Sequence, residues 1–118
     1  MVTNELVLQV IEDTFKEVIN LRKTKGEDYT KGTGNAWWNF ETVAAQKKDM
    51  KPEDVWFVYF FKHYSSLLSY LEGIYKNSEP IEGRIDDMIV YLLLLKSKII
   101  NDKNNTDINR KTIDLIVS

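Results

Sequence analysis

Apolar residues recur every three or four positions along most of this chain, which is the spacing of one face of an α-helix. In the first such segment the apolar residues form one stripe, with acids and lysines opposite. Asn4 is a suitable N-cap, and Gly26 suits the left-handed position that follows a helix. The pattern therefore predicts a first helix from about Asn4 to Thr24. Its apolar positions are Leu6, Val7, Val10, Ile11, Phe15, Val18, Ile19 and Leu21.

Two further helices follow before residue 75. A short one is predicted from Trp37 to about Gln46. The next begins at Pro52, with proline at the first helical position and acids in the first turn, and continues to about Leu71, with Gly73 as its predicted stop. Its opening run is Val-Trp-Phe-Val-Tyr-Phe-Phe, which is apolar on every side. Such a run is typical of a central helix that is packed by several neighbours.

The last part of the chain predicts one helix and a weaker one after it. The fourth helix begins at Pro80 and continues to about Ile100. The polar residues 101–105 then separate it from a weak final helix between Asp107 and Val117. No segment alternates apolar and polar residues strictly enough to require a sheet. The sequence therefore predicts an all-α bundle of four to five helices, in a single domain of residues 1–118.

The composition is that of an ordinary soluble globular protein, with 43% hydrophobic and 29% charged residues. A net charge of −2 argues against a DNA-binding module. The absence of cysteine excludes disulfides, thiolate zinc sites and cysteine nucleophiles. The longest uncharged apolar stretch, Met88 to Leu95, is far shorter than the roughly 20 residues that span a bilayer, and the N-terminus does not resemble a signal peptide. We therefore expect a cytoplasmic protein that does not bind membranes.

The segment between the first two helices, Lys25 to Phe40, is rich in glycine, charge and tryptophan. Its glycines permit backbone geometries that expose N–H groups to an anion, and Lys25 and Lys31 add positive charge. Trp37 or Trp38 can stack on a nucleobase, which contributes about 1–3 kcal/mol per base. In the alternative interpretation the glycines are turn residues and the tryptophans belong to the core, which for one tryptophan is the favoured interpretation.

Polar side chains begin midway along the third helix. Lys62 and Ser66 belong to one stripe, and His63 lies on the neighbouring stripe. These stripes either face solvent or line an internal cleft. A lone histidine is more often a hydrogen-bonded interior residue than a catalyst, and His63 cannot join a multi-histidine metal site.

On the fourth helix, Arg84, Asp87 and Tyr91 lie on one face. The spacing of Arg84 and Asp87 predicts an ion pair between them. In the functional interpretation the guanidinium of Arg84 binds a phosphate, because its donors match phosphate oxygens two at a time, and Asp87 orients it or binds a hydroxyl group. Together, the loop and the two helices supply the groups that hold a small phosphorylated molecule.

Several short motifs resemble those of small phage-encoded proteins that are related to nucleotide-modification-associated domains and, more distantly, to the all-α MazG-like nucleotide pyrophosphatases. The similarity covers roughly residues 20–98. The motifs are Lys25-x-x-Asp28-Tyr29, Asn39-Phe40, Pro52-Glu53-Asp54-Val55-Trp56, Lys62-His63 and Ile85-Asp86-Asp87-x-x-x-Tyr91-Leu92-Leu93.

This resemblance implies an all-α, usually oligomeric fold that holds a nucleotide between helices. With the residues singled out above, it completes the set of side chains that we expect to contact a ligand. They are Lys25, Asp28, Tyr29, Lys31, Trp37, Trp38, Asn39, Lys62, His63, Ser66, Arg84, Asp87 and Tyr91.

The chain departs from the MazG-like pattern at the metal site. Active members bind magnesium through Glu-Glu-x-x-Glu on one helix and Glu-x-x-Asp on a later one. Here the later motif aligns with Arg84-Ile85-Asp86-Asp87, so that only Asp87 carries over, and the earlier helix offers Lys62-His63-Tyr64-Ser65-Ser66. Lysine and arginine in place of ligand carboxylates bind phosphate directly but do not hold the metal that generates hydroxide. We therefore expect no catalytic residue, no metal ligand and no cofactor.

Three hypotheses remain. The first is a nucleotide-binding protein without turnover; in a phage setting it would sequester a host immune signal, such as a cyclic nucleotide or an ADP-ribose derivative, in the cytoplasm of the infected cell. The second is a magnesium-dependent pyrophosphatase that uses Asp87 with Glu82, Asp86 or loop acids. The third is a helical inhibitor of a host protein, motivated by an aromatic content of 12%. In all three we expect a homo-oligomer, because few helices are available to cover the apolar start of the third helix.

Overall fold

The structure is a computed structural model that describes residues 1–117, except the side chain of Tyr29. These residues form helices and connecting turns, with no strand among them, so the all-α prediction is confirmed. The helices are α1 (Asn4–Thr30), α2 (Trp38–Ala44), α3 (Pro52–Leu71) and α4 (Ile81–Val117).

Helix α1 is longer than the sequence pattern predicted. Its N-cap is Thr3, one residue before the predicted Asn4. The helix passes through Gly26 and ends where Lys31 takes the left-handed conformation (φ 52°), followed by Gly32 (φ 72°). The predicted stop at Gly26 is therefore wrong. The four residues after Gly26 can continue a helix, and the glycine that supports a left-handed turn is the next one along the chain.

Helix α4 is one continuous helix of 37 residues. The predicted break at residues 101–105, and with it the separate fifth helix, is wrong. This segment contains neither glycine nor proline, the residues that most oppose a helix. Its side chains also support the helix locally: Lys98 Nζ lies 3.0 Å from Asp102 Oδ2, and the Thr106 hydroxyl donates to the Asp102 carbonyl at 2.9 Å.

The core lies where α2, α3 and the first half of α4 meet. The ring of Trp56 stacks on Phe60 with centroids 5.1 Å apart, and Trp37 packs edge-on against Phe40 at 4.9 Å. The buried members are Trp37, Phe40, Ala44, Val55 and Trp56, and the half-buried residues packed against them are Met50, Phe60, Tyr91, Leu94 and Leu95.

Both buried indoles are hydrogen-bonded to the backbone of α4. Trp37 Nε1 donates to the Leu94 carbonyl at 3.1 Å, and Trp56 Nε1 donates to the Tyr91 carbonyl at 2.8 Å. The two carbonyls are about one helical turn apart. The large apolar rings are therefore buried without leaving an indole N–H unsatisfied, and they fix the position of α4 along its axis.

Lys98 joins the start of α3 to α4 at the edge of this core. Its ammonium group lies 3.2 Å from Glu53 Oε1 and 5.6 Å from the centroid of the Trp37 ring. The ion pair and the cation–π contact are both only partly exposed, which strengthens each of them relative to a surface pair.

The molecule is elongated, with extents of 61 × 38 × 28 Å. Its radius of gyration is 18.4 Å, whereas a compact chain of this length has about 13.5 Å. At the start of α3, Val55 and Trp56 are buried but Phe57 and Val58 are exposed. The prediction of a central helix packed on every side is therefore wrong for the single chain: only one side of α3 is covered. No helix in residues 1–117 is both long and apolar enough to cross a membrane.

Replacing Trp56 with phenylalanine removes the N–H donor to Tyr91 and part of a buried ring. We expect Trp56→Phe to lower the free energy of unfolding by about 1–2 kcal/mol in urea titrations followed by circular dichroism. The matched control is Tyr70→Phe, which removes a polar group from an exposed ring and should change stability by less than about 0.5 kcal/mol. Equal effects of the two variants would contradict the role given to the indole bond.

Candidate ligand-binding cleft

A cleft of about 350 Å³ opens between the four helices. Its volume lies at the lower end of the range of pockets that hold small molecules, about 300–1,000 Å³. Apolar side chains form most of its wall and a few polar groups converge on it, which is the usual makeup of such a pocket. The apolar residues are Val18, Leu21, Ala36, Phe40, Val90 and Leu94, and the polar ones are Arg22, Asn39, His63, Asp87 and Tyr91.

Each helix brings its side chains to the cleft through its own periodicity. On α4, the residues Asp87, Tyr91 and Leu94 follow one another at helical spacing, so they line one wall in a row. The α4 wall is held by aromatic contacts: the ring of Tyr91 lies 5.3 Å from that of His63 and 6.2 Å from that of Phe40. The cleft therefore shares its aromatic wall with the hydrophobic core.

The position of His63 is set by groups of opposite charge. Its Nδ1 atom lies 3.6 Å from Asp87 Oδ2 and 3.4 Å from Arg84 Nη1. Burial lowers the pKa of His63, and the charges of Arg84 and Lys62 lower it further, whereas Asp87 and Glu79 raise it. The neutral ring can accept a hydrogen bond from Arg84 at Nδ1, and the protonated ring can donate one to Asp87.

The predicted ion pair between Arg84 and Asp87 is replaced by other contacts. Arg84 Nη2 pairs with Glu79 Oε2 at 3.3 Å, while the imidazole of His63 lies against both Arg84 and Asp87. The turn that precedes α4 places Glu79 beside the guanidinium. Among the described residues no acceptor reaches Arg84 Nε, which is buried. A buried donor of this kind costs free energy unless a water molecule or an anion accepts from it.

The acids beside the cleft repel one another. Burial raises the pKa of Asp86, and the charges of Glu17, Asp87 and Glu82 raise it further. Glu17 comes from α1 and the other three from α4. In residues 1–117 there is no group of three histidine, aspartate or glutamate side chains placed to hold a metal ion.

The structure brings four of the predicted ligand residues together: Asn39, His63, Asp87 and Tyr91 line the cleft. A fifth, Arg84, is in contact with His63. These residues come from three different helices and were predicted from short motifs and helical spacing. Whether they contact a ligand stays a prediction.

The other predicted residues of α3 and α1 lie outside the cleft wall. Lys62 is exposed, and the hydroxyl of Ser66 donates to the Lys62 carbonyl within the helix at 3.2 Å. Lys25, Asp28 and Lys31 are exposed at the C-terminal end of α1, because that helix extends into the predicted loop. The side chain of Tyr29 lies outside the described part of the structure.

The two tryptophans have different surroundings. Trp37 is 6% exposed and bonded to α4, so it belongs to the core and its ring is not available to stack on a base. Trp38 is half-buried and does not line the cleft. Phe40 lines the cleft but is also only 6% exposed, so the aromatic surface that a ligand can reach is formed instead by the half-buried rings of Tyr91 and His63.

Arg22 is the cleft residue that the sequence interpretation missed. It lies one turn after Val18 on α1, at the edge of the apolar stripe, and is half-buried. An arginine at the boundary of a buried stripe can cover apolar surface with its stem while its guanidinium reaches a polar site. The signal in the sequence that could have identified Arg22 is its position one turn after Val18, a predicted core residue.

Comparison with protein-family models, with curated proteins and with solved structures gives no match for this chain.

Because His63 is the only histidine, its titration can be followed by NMR without assignment. We expect its pKa to lie below 6.5, since burial disfavours the imidazolium. Asp87→Asn should lower it further, because the carboxylate stabilises the protonated ring. Asp13→Asn, a substitution of an exposed acid on α1, is the matched control and should leave it unchanged. A pKa at or above 6.5 would contradict this account of the site.

The lowered pKa of His63 also predicts that the stability of the fold depends on pH. The folded state binds the His63 proton less tightly than the unfolded state, so the free energy of unfolding should fall as the pH drops below about 6.5 towards the lowered pKa. His63→Gln should remove that part of the dependence when urea titrations are compared between pH 7.5 and pH 5.5. An unchanged pH profile in this variant would show that other groups are responsible.

Proposed function

We propose that the cleft binds a phosphorylated, nucleotide-like small molecule without hydrolysing it. The observation that carries the proposal is the combination, in one cleft of about 350 Å³, of a guanidinium group, an amide, a carboxylate and the half-buried rings of His63 and Tyr91. These are the groups that phosphate, hydroxyl and base moieties need. The volume suits a ligand of mononucleotide size, or one part of a larger ligand.

Each group has a distinct task in this proposal. The guanidinium of Arg22 pairs with phosphate oxygens, for which its planar set of donors is suited. The half-buried ring of Tyr91 and the apolar part of the cleft wall give a planar base a surface to pack on. The exposed carboxylate of Asp87 accepts hydrogen bonds from ligand hydroxyl groups, and the amide of Asn39 can both donate and accept.

Binding without turnover is supported by the positive charge of Arg84, which stands where the resemblance leads us to expect a carboxylate that binds metal. MazG-like enzymes carry a glutamate where this chain has Arg84, and the guanidinium lies 3.4 Å from His63 beside the cleft. This positive charge, which Glu79 balances in part at 3.3 Å, opposes a magnesium ion at that position. The buried Nε of Arg84 adds a donor that an anion or a water molecule can satisfy.

The wider role rests on the resemblance to phage-encoded proteins. In that setting a protein that binds a nucleotide and leaves it intact would lower the free concentration of a host immune signal, such as a cyclic nucleotide or an ADP-ribose derivative. We place this protein in the cytoplasm of the infected cell and expect it to act as a homo-oligomer.

A magnesium-dependent pyrophosphatase is the second candidate, and one observation favours it. Burial raises the pKa of Asp86, and the nearby carboxylates of Glu17, Asp87 and Glu82 raise it further. A divalent cation would relieve their mutual repulsion. The experiment below separates the two candidates.

The proposal is tested with the intact protein and a panel of ATP, cyclic dinucleotides and ADP-ribose, each with magnesium and with EDTA. Binding is measured by thermal shift and calorimetry, and ligand integrity by chromatography of the same samples. We expect a ligand that raises the melting temperature in EDTA and is recovered intact. Loss of the ligand that depends on magnesium would establish the pyrophosphatase instead.

Arg22→Gln should weaken binding of that ligand about 10- to 100-fold, because a charge-assisted hydrogen bond contributes about 1.5–3 kcal/mol. The matched control is Arg110→Gln, which removes the same charge from an exposed position far along α4 and should leave the dissociation constant unchanged. No binding to any member of the panel below millimolar concentration, or equal weakening by both variants, would overturn the proposal.

A further inference from the structure

One ring nitrogen of His63 lies between two groups of opposite charge. Its Nδ1 atom is 3.4 Å from Arg84 Nη1, which can only donate a hydrogen bond, and 3.6 Å from the carboxylate oxygen Oδ2 of Asp87, which can only accept one. A neutral ring can leave Nδ1 without hydrogen and accept from Arg84. An imidazolium carries hydrogen on both nitrogens, so its Nδ1 can serve only Asp87. The charge of His63 therefore decides which of the two groups the ring holds.

His63 is enclosed at the point where it lines the cleft. Its side chain is 13% exposed, and its ring lies 5.3 Å from that of Tyr91. Asp87 lines the same cleft and is open to solvent. A charge on the imidazole is screened less by water here than at the surface, so that a ligand in the cleft is exposed to more of it.

Titratable and charged groups face His63 from each helix that carries such a group to the cleft. They are Arg84, Asp87 and Tyr91 on α4, Glu79 in the turn before it, Lys62 on α3 itself and Arg22 on α1. The residues of α2 that line the cleft are uncharged. Three further acids, Glu17, Glu82 and Asp86, lie beside the cleft and oppose an anion. While His63 is neutral, the acids thus offset much of the positive charge.

Protonation of His63 changes this balance in favour of an anion. It adds a positive charge, and it turns Nδ1 towards Asp87, whose negative charge it offsets. The second oxygen of that carboxylate can still accept from a ligand hydroxyl group. Arg84 Nη1 then loses the acceptor that the neutral ring offers, while Arg84 Nε already has none among the described residues. An anion is the acceptor that best satisfies guanidinium donors.

We propose that His63 couples anion binding in the cleft to the uptake of a proton, so that the protonated site holds a ligand phosphate more tightly than the neutral site does. This inference rests on the proposed function, because it requires an anionic group to enter the cleft. Affinity should then rise as the pH falls through the range in which histidine titrates. By the reciprocity of linked binding, the anion must in turn raise the pKa of His63.

The first test measures the pKa of His63 by NMR in the unmodified protein, in sodium sulfate and in sodium chloride of equal ionic strength. Sulfate is the probe because its charge is constant in this range, whereas a phosphate group itself titrates near pH 6, with a second pKa of about 6. We expect sulfate to raise the pKa of His63 by about 0.5–1 unit, which corresponds to a three- to tenfold preference of sulfate for the protonated site. An unchanged or lowered pKa would overturn the proposal.

A pair of variants locates the effect of sulfate. Arg22→Gln removes a guanidinium from the cleft wall and should reduce the rise in the pKa of His63. Arg110→Gln removes the same charge from an exposed position far along α4 and should keep the full rise. An equal rise in both variants would place the sulfate outside the cleft and overturn the proposal.

The second test compares the dissociation constant of sulfate at pH 5.5 and pH 7.5 by calorimetry. Binding should be about three- to tenfold tighter at the lower pH. His63→Gln keeps a hydrogen-bonding side chain that does not titrate, and should bind sulfate equally at both values. Asp13→Asn, at an exposed position on α1, should keep the dependence of the unmodified protein. A dependence that is as large in His63→Gln would overturn the proposal.

These measurements separate the proton coupling from nucleotide binding. If ATP or ADP-ribose binds while sulfate leaves the pKa of His63 unchanged, the proposed function stands and the coupling fails. If no nucleotide binds while sulfate raises that pKa through Arg22, the coupling stands, and the cleft takes an anion that is not a nucleotide.

Discussion

Two hydrogen bonds from buried indoles determine where α4 lies, and the rest of the molecule depends on that placement. Trp37 caps α2 and Trp56 lies on α3, yet both donate to carbonyls of α4, at Leu94 and Tyr91. A slide of α4 by one residue would break both bonds and leave two N–H groups buried without partners, at a cost of about 1–3 kcal/mol each. Tyr91 and Leu94 also line the cleft, so the bonds that hold the core also set the cleft wall.

The sequence predicted the helices well and their ends less well, for a physical reason. Periodicity reports which face of a helix is apolar, and Pro52 and Gly73 mark both ends of α3 by restricting or freeing the backbone. Gly26 is different: glycine permits a left-handed turn without requiring one, and α1 continues through it. Polar residues 101–105 likewise lower helix propensity only slightly and include neither glycine nor proline, so α4 continues through them.

Helical spacing and short motifs predicted some residues of the candidate site but not the contacts between them. The spacing on α4 placed Asp87 and Tyr91 on one face, and both line the cleft. The partners of Arg84 could not be predicted in this way, because His63 and Glu79 reach it from another helix and from a turn. Composition also does not distinguish one tryptophan of an adjacent pair from the other; that depends on which ring points towards α4.

The two faces of α3 explain why an apolar sequence produces a small core. A helix that is apolar on all sides needs partners on all sides, and here α2 and α4 reach only the side that carries Trp56. The remaining side is spaced as regularly as the buried one, from Phe57 to Leu71, which is not expected of apolar residues scattered over a solvated surface. Helix α1 does not cover this side, since its own apolar residues from Leu6 to Ile19 are largely exposed as well. Within residues 1–117 the periodicity that predicts α3 as a central helix is therefore satisfied on one side only.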